Sequence, residues 1–274
     1  VLLDPLPRRE RGRERADAGL AMMQRQVVLF MSADVVGSTE FKTRTAMQAS
    51  GAWVEAFEAF FSELPLIFMG RIANHFWDVD SLPDSGVWKV MGDELVFAAR
   101  PRTLDDARRI AMAFRDAVAD YDHSLAQRWP LRIRGACWAA EIGGRNRAVE
   151  IPEMLGGRDD RPYLDYLGPD IDIGFRLSPH SRTGRVILSP NFAESLARAA
   201  VRTGDPEPTL DYQGEAVLKG VCGGHPFPLV LMATSAQAAV AEPFEAIASR
   251  LALQRERILE ATGIEAPPPV FGEA

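Results

Sequence analysis

Two kinds of apolar spacing alternate along this chain, and their order constrains the fold more tightly than any single residue. Residues 26–34, QVVLFMSAD, are almost continuously apolar up to an acid, Asp34, which is the pattern of a buried strand. From Ala46 the spacing changes, and Met47, Val54, Phe57, Phe61 and Leu64 recur at helical intervals. A mixed apolar stretch from Pro65 to Phe76 and a polar loop, DVDSLPDSG, follow. Residues 87–99 then predict a hairpin that bends at Gly92-Asp93. Thr103 caps the next predicted helix, with Asp105 and Asp106 in its first turn, where the helix dipole favours them. Its apolar face is Ala107, Ala111, Phe114, Val118, Tyr121 and Leu125.

LRIRGACWAAEI reads as a strand, and residues 143–162 as a polar, Gly-rich excursion. A short helix begins after Gly168, RVILS is a strand, and NFAESLARAA is a helix with Asn191 as its cap. AVLKG and PLVLMA are late strands, and residues 241–262 form a final amphipathic helix before a PPP tail. Strand, helix, hairpin, helix, strand, helix is an α+β order, and one sheet with helices on a face would bury these patterns.

Charge and cysteine content narrow the function classes. The net charge of −7 advertises no basic face, which excludes a nucleic-acid polymer as the main partner but not a nucleotide. The two cysteines, Cys137 and Cys222, make no disulfide framework and fit a reducing cytoplasm as apolar filler. No signal peptide and no run long enough to span a membrane is present. The four histidines have no ligand spacing, and Trp53 is expected in the core.

Three stretches carry chemistry. Asp34 ends a strand and Asp93 sits in the hairpin bend, so adjacent strands would bring two carboxylates together. Such a pair repels unless a cation lies between them, and Mg²⁺ favours carboxylate oxygens together with substrate phosphates. The third stretch is Asp165-Tyr-Leu-Gly-Pro-Asp-Ile-Asp172-Ile-Gly-Phe-Arg176, with an acid before a Gly turn, another in the first helical turn and an Arg one turn later. A surface ion pair between Asp172 and Arg176 would account for that pair alone, but not for the neighbouring motifs.

Together these stretches resemble the catalytic domain of the class III nucleotidyl cyclases. That family reads Asp-x-x-Gly-(Phe or Ser)-Thr, Lys-x-x-Gly-Asp, then Asp, Asn and Arg at fixed spacing, and a late Leu-Lys-Gly. This chain has Asp34-Val-Val-Gly-Ser-Thr39, Lys89-Val-Met-Gly-Asp93, then Asp165, Asp172 and Arg176, and Leu218-Lys219-Gly220, in the same order. The resemblance covers residues 25–234. It implies an α+β, ferredoxin-like βαββαβ-derived fold with one antiparallel-rich sheet packed by helices. It divides the chain into a charged arm at 1–22, a cyclase domain at 23–236, a C-terminal helix at 237–262 and a tail at 263–274.

The resemblance also implies roles. Asp34, Asp93 and the carbonyl of Val35 would hold two divalent cations, Mg²⁺ or Mn²⁺. Lys89 and Asp165 would contact the base. Arg176 would stabilise the transferring phosphoryl group, Asp172 would stand where the family has Asn, and Lys219 would hold terminal phosphates. The family's sites are shared between two domains, so the implied partner is a second copy in a homodimer with composite sites.

Several positions depart from the family. Asp172 replaces an amide with an acceptor-only carboxylate. Phe175 is large where a small residue is usual, Ala136 stands where a Gly is frequent, and the 70–86 loop is enlarged. With no sensor, receiver or membrane segment in view, the chain is most similar to the pyrimidine cyclases of the Pycsar anti-phage system, and UTP is the expected substrate, with cyclic UMP the second messenger. An adenylate cyclase is the alternative that Lys89 and Asp165 favour. A diguanylate cyclase is suggested by Gly92-Asp93-Glu94-Leu95 but opposed by Met91, where close backbone approach to guanine would want Gly. A catalytically degenerate nucleotide-binding domain is the third alternative, favoured by Asp172.

Overall fold

The computed structural model describes residues 25–47, 51–151, 163–205, 207–233 and 242–272. Nine strands and six helices are built from them: β1 Gln26–Val36, α1 Ser38–Met47, α2 Ala52–His75, β2 Asp84–Met91, β3 Glu94–Arg100, α3 Leu104–Arg128, β4 Arg132–Ile142, β5 Arg147–Ile151, β6 Tyr163–Leu167, α4 Pro169–Leu177, β7 Val186–Leu188, α5 Pro190–Thr203, β8 Thr209–Val217, β9 Pro226–Ala233 and α6 Phe244–Thr262.

Seven strands form one sheet in the order β2-β3-β1-β4-β7-β9-β8. Only the β4–β7 pair is parallel. The first four sheet positions, with α1, α2 and α3 as crossovers, are the ferredoxin-like βαββαβ arrangement, and β7, β9 and β8 extend it. β5 and β6 make a separate antiparallel hairpin.

The alternation of side chains along a strand splits β1 between two cores. Leu29, Met31, Ala33 and Val35 pack with Phe60, Leu64 and Phe68 of α2 and Phe114 of α3. Val28 and Phe30 face the other way, onto Trp138, Tyr166 and Ile171. The second face is the thinner one, covered by α4 and the β5–β6 hairpin, and it carries the candidate site at one end.

Helix α3 starts as expected. Thr103 Oγ1 accepts from the Asp106 N–H at 3.1 Å, and Asp106 Oδ2 accepts from the Thr103 N–H at 3.3 Å, a reciprocal cap.

Several expectations need correction. Of AVLKG, expected as a strand, only Ala216 and Val217 belong to β8, and Lys219 and Gly220 turn away from it. The excursion expected over 143–162 contains β5 at Arg147–Ile151. The helix expected to give way after Leu64 runs on through Pro65 to His75. An interior Pro costs about 3 kcal/mol. Phe60, Leu64, Phe68 and Ile72 are all buried on the continuous face, and each is worth roughly 1.5–3 kcal/mol, so burial wins. Residues 38–47 form a helix of their own that periodicity missed, because only Ser38, Phe41 and Thr45 are buried. The cap of α5 is Ser189, not Asn191, which lies one position past Pro190 inside the helix. Trp53 is 37% exposed rather than core.

The charged arm at 1–22 and residues 152–162 lie outside the described residues. Among the described residues no helix is long and apolar enough to cross a membrane.

Candidate active site

The sheet register brings Asp34 and Asp93 to one end of the β1–β3 pair. Asp34 lies opposite Glu94, and the Val35 N–H donates to the Asp93 carbonyl at 3.3 Å. Gly92 holds φ +65°, a conformation that lets the two-residue bend form and leaves Asp93 at the tip. Ser38, the first residue of α1, donates its hydroxyl to Asp93 Oδ2. The first turn of α1 therefore opens directly beside both acids, and its unpaired N–H groups favour anions there.

A third strand contributes a cation. Arg134 of β4 stands opposite Asp34 in register. Its guanidinium lies 2.7 and 2.9 Å from Asp34 Oδ2 and also donates to the Pro179 carbonyl at 3.0 Å. Pro179 follows Arg176 by three residues, so Arg134 ties the acid end of the sheet to the end of α4.

Glu94 completes the cluster. Burial pushes its carboxyl up to about 7, and the Asp34 and Asp93 charges add to the rise. The Ser32 hydroxyl and Arg134 counter it in part. Its Oε1 is buried with no hydrogen-bond partner.

Asp34 and Asp93 offer the carboxylate oxygens that a divalent cation would take. Burial first, and the neighbouring Asp34 and Asp93 charges second, raise the Glu94 carboxyl to about 7, and one buried oxygen there lacks a partner. The protein donor set is nevertheless sparse: no cluster of three or more His, Cys, Asp or Glu in metal-binding arrangement occurs among the described residues. A cation held by two carboxylates and the Val35 carbonyl would keep positions for phosphate oxygens and water, as Mg²⁺ does in nucleotide sites.

A largely buried ion pair forms on the neighbouring edge. Lys89 Nζ lies 2.6 Å from Asp165 Oδ1, although the residues are 76 positions apart. Both side chains are about four-fifths buried. Lys89 comes from β2 and Asp165 from β6, so docking of the small hairpin on the sheet face makes the pair. A register irregularity between Val87 and Lys89 turns Trp88 onto that face. Its ring centroid lies 5.0 Å from that of Phe30 and 5.3 Å from that of Tyr166, and its indole N–H donates to the Leu164 carbonyl at 3.0 Å.

Helix α4 is fixed over Trp138. Gly174 rests on the indole, leaving no space for a Cβ, and Phe175 packs edge-on to the same ring at 5.1 Å. The large residue thus joins the aromatic layer, also reaching Trp88 at 6.4 Å. At the start of α4, Asn146 Nδ2 donates to Asp170 Oδ2 at 2.7 Å and Asn146 Oδ1 accepts from the Asp170 N–H at 3.1 Å.

Among the described residues, the remaining candidates form no hydrogen bond or ion pair with either cluster. Asp172 and Arg176 are both exposed on α4, and no ion pair joins them. Lys219 is exposed in the turn after β8, at the far edge of the sheet from β2, with the Val221 N–H donating to the Leu218 carbonyl at 3.1 Å. Among the described residues, no hydrogen bond links these three to Asp34, Asp93, Lys89 or Asp165.

Sequence reasoning missed Arg134, Glu94, Ser38 and Trp88. Arg134 was findable: it lies inside β4, two residues past the Arg132 that opens the strand and on the alternation that faces away from Ile133, and a cation there is unexpected unless it meets an acid.

No family model matches this chain, and no curated protein matches it. Solved structures do. The adenylyl cyclase CyaB from P. aeruginosa aligns with a TM-score of 0.55 at 17% identity, over 77% of this chain and 96% of that one. The guanylate cyclase domain of RhGC from Catenaria anguillulae, solved with GTP, gives 0.49 at 14% identity, over 76% and 97%. The guanylyl cyclase Cya2 gives 0.46 at 16% identity, over 80% and 95%. The likeness to CyaB establishes the fold of a cyclase catalytic domain for this chain.

Proposed function

We propose that this protein is a nucleotidyl cyclase that converts a nucleoside triphosphate into a 3′,5′-cyclic nucleotide and pyrophosphate. The observation that carries this reading is the meeting of Asp34 and Asp93 at one end of the β1–β3 pair. Within the same fold, Lys89 and Asp165 meet in contact, as a base-recognising pair would. Divalent cations held by Asp34, Asp93 and the Val35 carbonyl would lower the pKa of the attacking 3′-hydroxyl and offset charge on the leaving pyrophosphate.

The residues themselves orient and neutralise. The N-terminus of α1 and Arg134 attract the phosphates to the carboxylate end. Lys89 donates to the base and Asp165 accepts from it. Arg176 stabilises negative charge on the transferring phosphoryl group, and Lys219 binds the terminal phosphates. The last two are exposed and, among the described residues, make no hydrogen bond or ion pair with the carboxylates of their own chain, which favours a homodimer in which each site takes its metal acids from one copy and Lys89, Asp165, Arg176 and Lys219 from the other.

Uridine triphosphate is the favoured substrate, giving cyclic UMP as an anti-phage signal. The bulk of Trp88 and Phe175 beside the Lys89–Asp165 pair supports a small base. The deciding experiment incubates purified protein with Mn²⁺ or Mg²⁺ and each of the four triphosphates, followed by mass-spectrometric identification of products. Cyclic UMP is expected. Cyclic AMP would replace the uridine assignment, a dimeric guanylate would overturn the cyclisation reading, and no product would favour a domain that only binds nucleotide.

A further inference from the structure

Trp88 touches Lys89 and the two residues that flank Asp165. Its ring centroid lies 3.8 Å from Lys89 Nζ, a cation–π contact that holds the ammonium from one side. The Asp165 carboxylate holds the same ammonium from another, at 2.6 Å. The Trp88 N–H donates to the Leu164 carbonyl at 3.0 Å, one residue before Asp165. Tyr166, one residue after Asp165, packs edge-on to Trp88 at 5.3 Å, and its hydroxyl accepts from Arg100 at 3.0 Å. Trp88 therefore grips β6 on both sides of Asp165 and supports Lys89 as well.

Among the described residues, the β5–β6 hairpin has no ladder to the main sheet. Its position over β2 rests on side-chain contacts of this kind, so the separation of Asp165 from Lys89 depends on them. Two groups that must meet the hydrogen-bonding edge of one planar base tolerate little displacement.

We propose that Trp88 is a positioning residue that sets base selection by fixing Lys89 and Asp165 relative to one another. The proposal rests on the cyclase reading above and extends it to the choice of base. Trp88→Phe keeps a ring under Lys89 and removes the N–H held by Leu164. Trp88→Leu removes both.

The test compares wild type with these two variants in cyclisation of the four triphosphates, and in calorimetric binding of their non-cyclising α,β-methylene analogues with Mn²⁺. In Trp88→Phe the ratio of kcat/KM between the best and second-best base should narrow about five- to tenfold, the worth of one hydrogen bond. The change should fall mainly on KM, and binding of the analogues should narrow in parallel. Trp88→Leu, where it folds, should narrow both ratios further. A purely structural role would lower all four triphosphates by a common factor and leave the ratio untouched. An unchanged ratio in Trp88→Phe overturns the proposal, while cyclic product from wild type still upholds the cyclase reading. If wild type binds selectively but forms no cyclic product, the cyclase reading falls and the binding ratios alone decide on Trp88. If wild type shows no base preference in binding or turnover, the proposal falls.

Discussion

Arg134 and Asp34 face one another across the β1–β4 pair, with the guanidinium 2.7 Å from the carboxylate. The acid that the metal reading depends on is thus already matched by a cation of its own chain. A divalent ion arriving at Asp34 competes with that guanidinium, and the Pro179 carbonyl gives Arg134 a second anchor when it moves. Arg134→Gln should therefore bind Mn²⁺ more tightly than wild type without nucleotide, by roughly three- to tenfold, on the scale of a largely buried ion pair at the sheet's end. Titration followed by the electron paramagnetic resonance of free Mn²⁺ measures it. Equal or weaker affinity would show that Arg134 does not guard the carboxylate.

Asp34→Ala and Asp93→Ala should each abolish cyclisation, by at least about a thousandfold, because several kcal/mol of charge stabilisation would be lost. The fold should survive, since both acids sit at the sheet's end and neither belongs to either apolar core. Product formation and thermal melting on the same samples separate the two effects. Full activity in either variant removes the two-metal reading.

Much of this was legible in the sequence, and the exceptions share a cause. β1, the β2–β3 hairpin, α3 and β4 carry strong periodicity over many residues, and they form the ferredoxin-like half of the sheet. The juxtapositions of Asp34 with Asp93 and of Lys89 with Asp165 follow from motifs with fixed internal spacing. α1 was not, because three buried positions in ten residues leave little amphipathic signal. The passage of α2 through Pro65 depended on tertiary burial of Leu64 and Phe68, which local rules cannot weigh. Arg134 and Trp88 gain meaning only through register: one pairs with a residue 100 positions away, and the other reaches 76 positions to Leu164.

Arg176→Ala should lower kcat by about a thousandfold while changing nucleotide affinity little, the mark of an interaction made in the transition state. Arg176 is exposed and makes no ion pair with Asp172, so its removal leaves no buried charge behind. In a homodimer with shared sites, a mixture of Asp93→Ala and Arg176→Ala chains should regain activity through one intact site per heterodimer. Failure to complement, with mixed dimers demonstrated by mass, would count against a composite site.

Glu94 provides a prediction in pH. Its folded-state pKa is raised from the ordinary 4.5 to about 7, first by burial and then by Asp34 and Asp93. The unfolded chain releases this proton near 4.5, while the folded chain keeps it to about 7. Between those values the native state binds more protons than the unfolded state, so stability falls as pH rises through the window and levels off above it. The loss is at most about 3 kcal/mol, reduced where Arg134 and water screen the site. In chelator, to keep metals away, wild type should melt at progressively lower temperature from pH 4.5 to 7 relative to Glu94→Gln, which has no such proton to lose. Above pH 7 the variant should be the more stable of the two by a constant margin. Parallel melting profiles for the two proteins across the whole range would mean that the carboxylate cluster does not strain the metal-free fold.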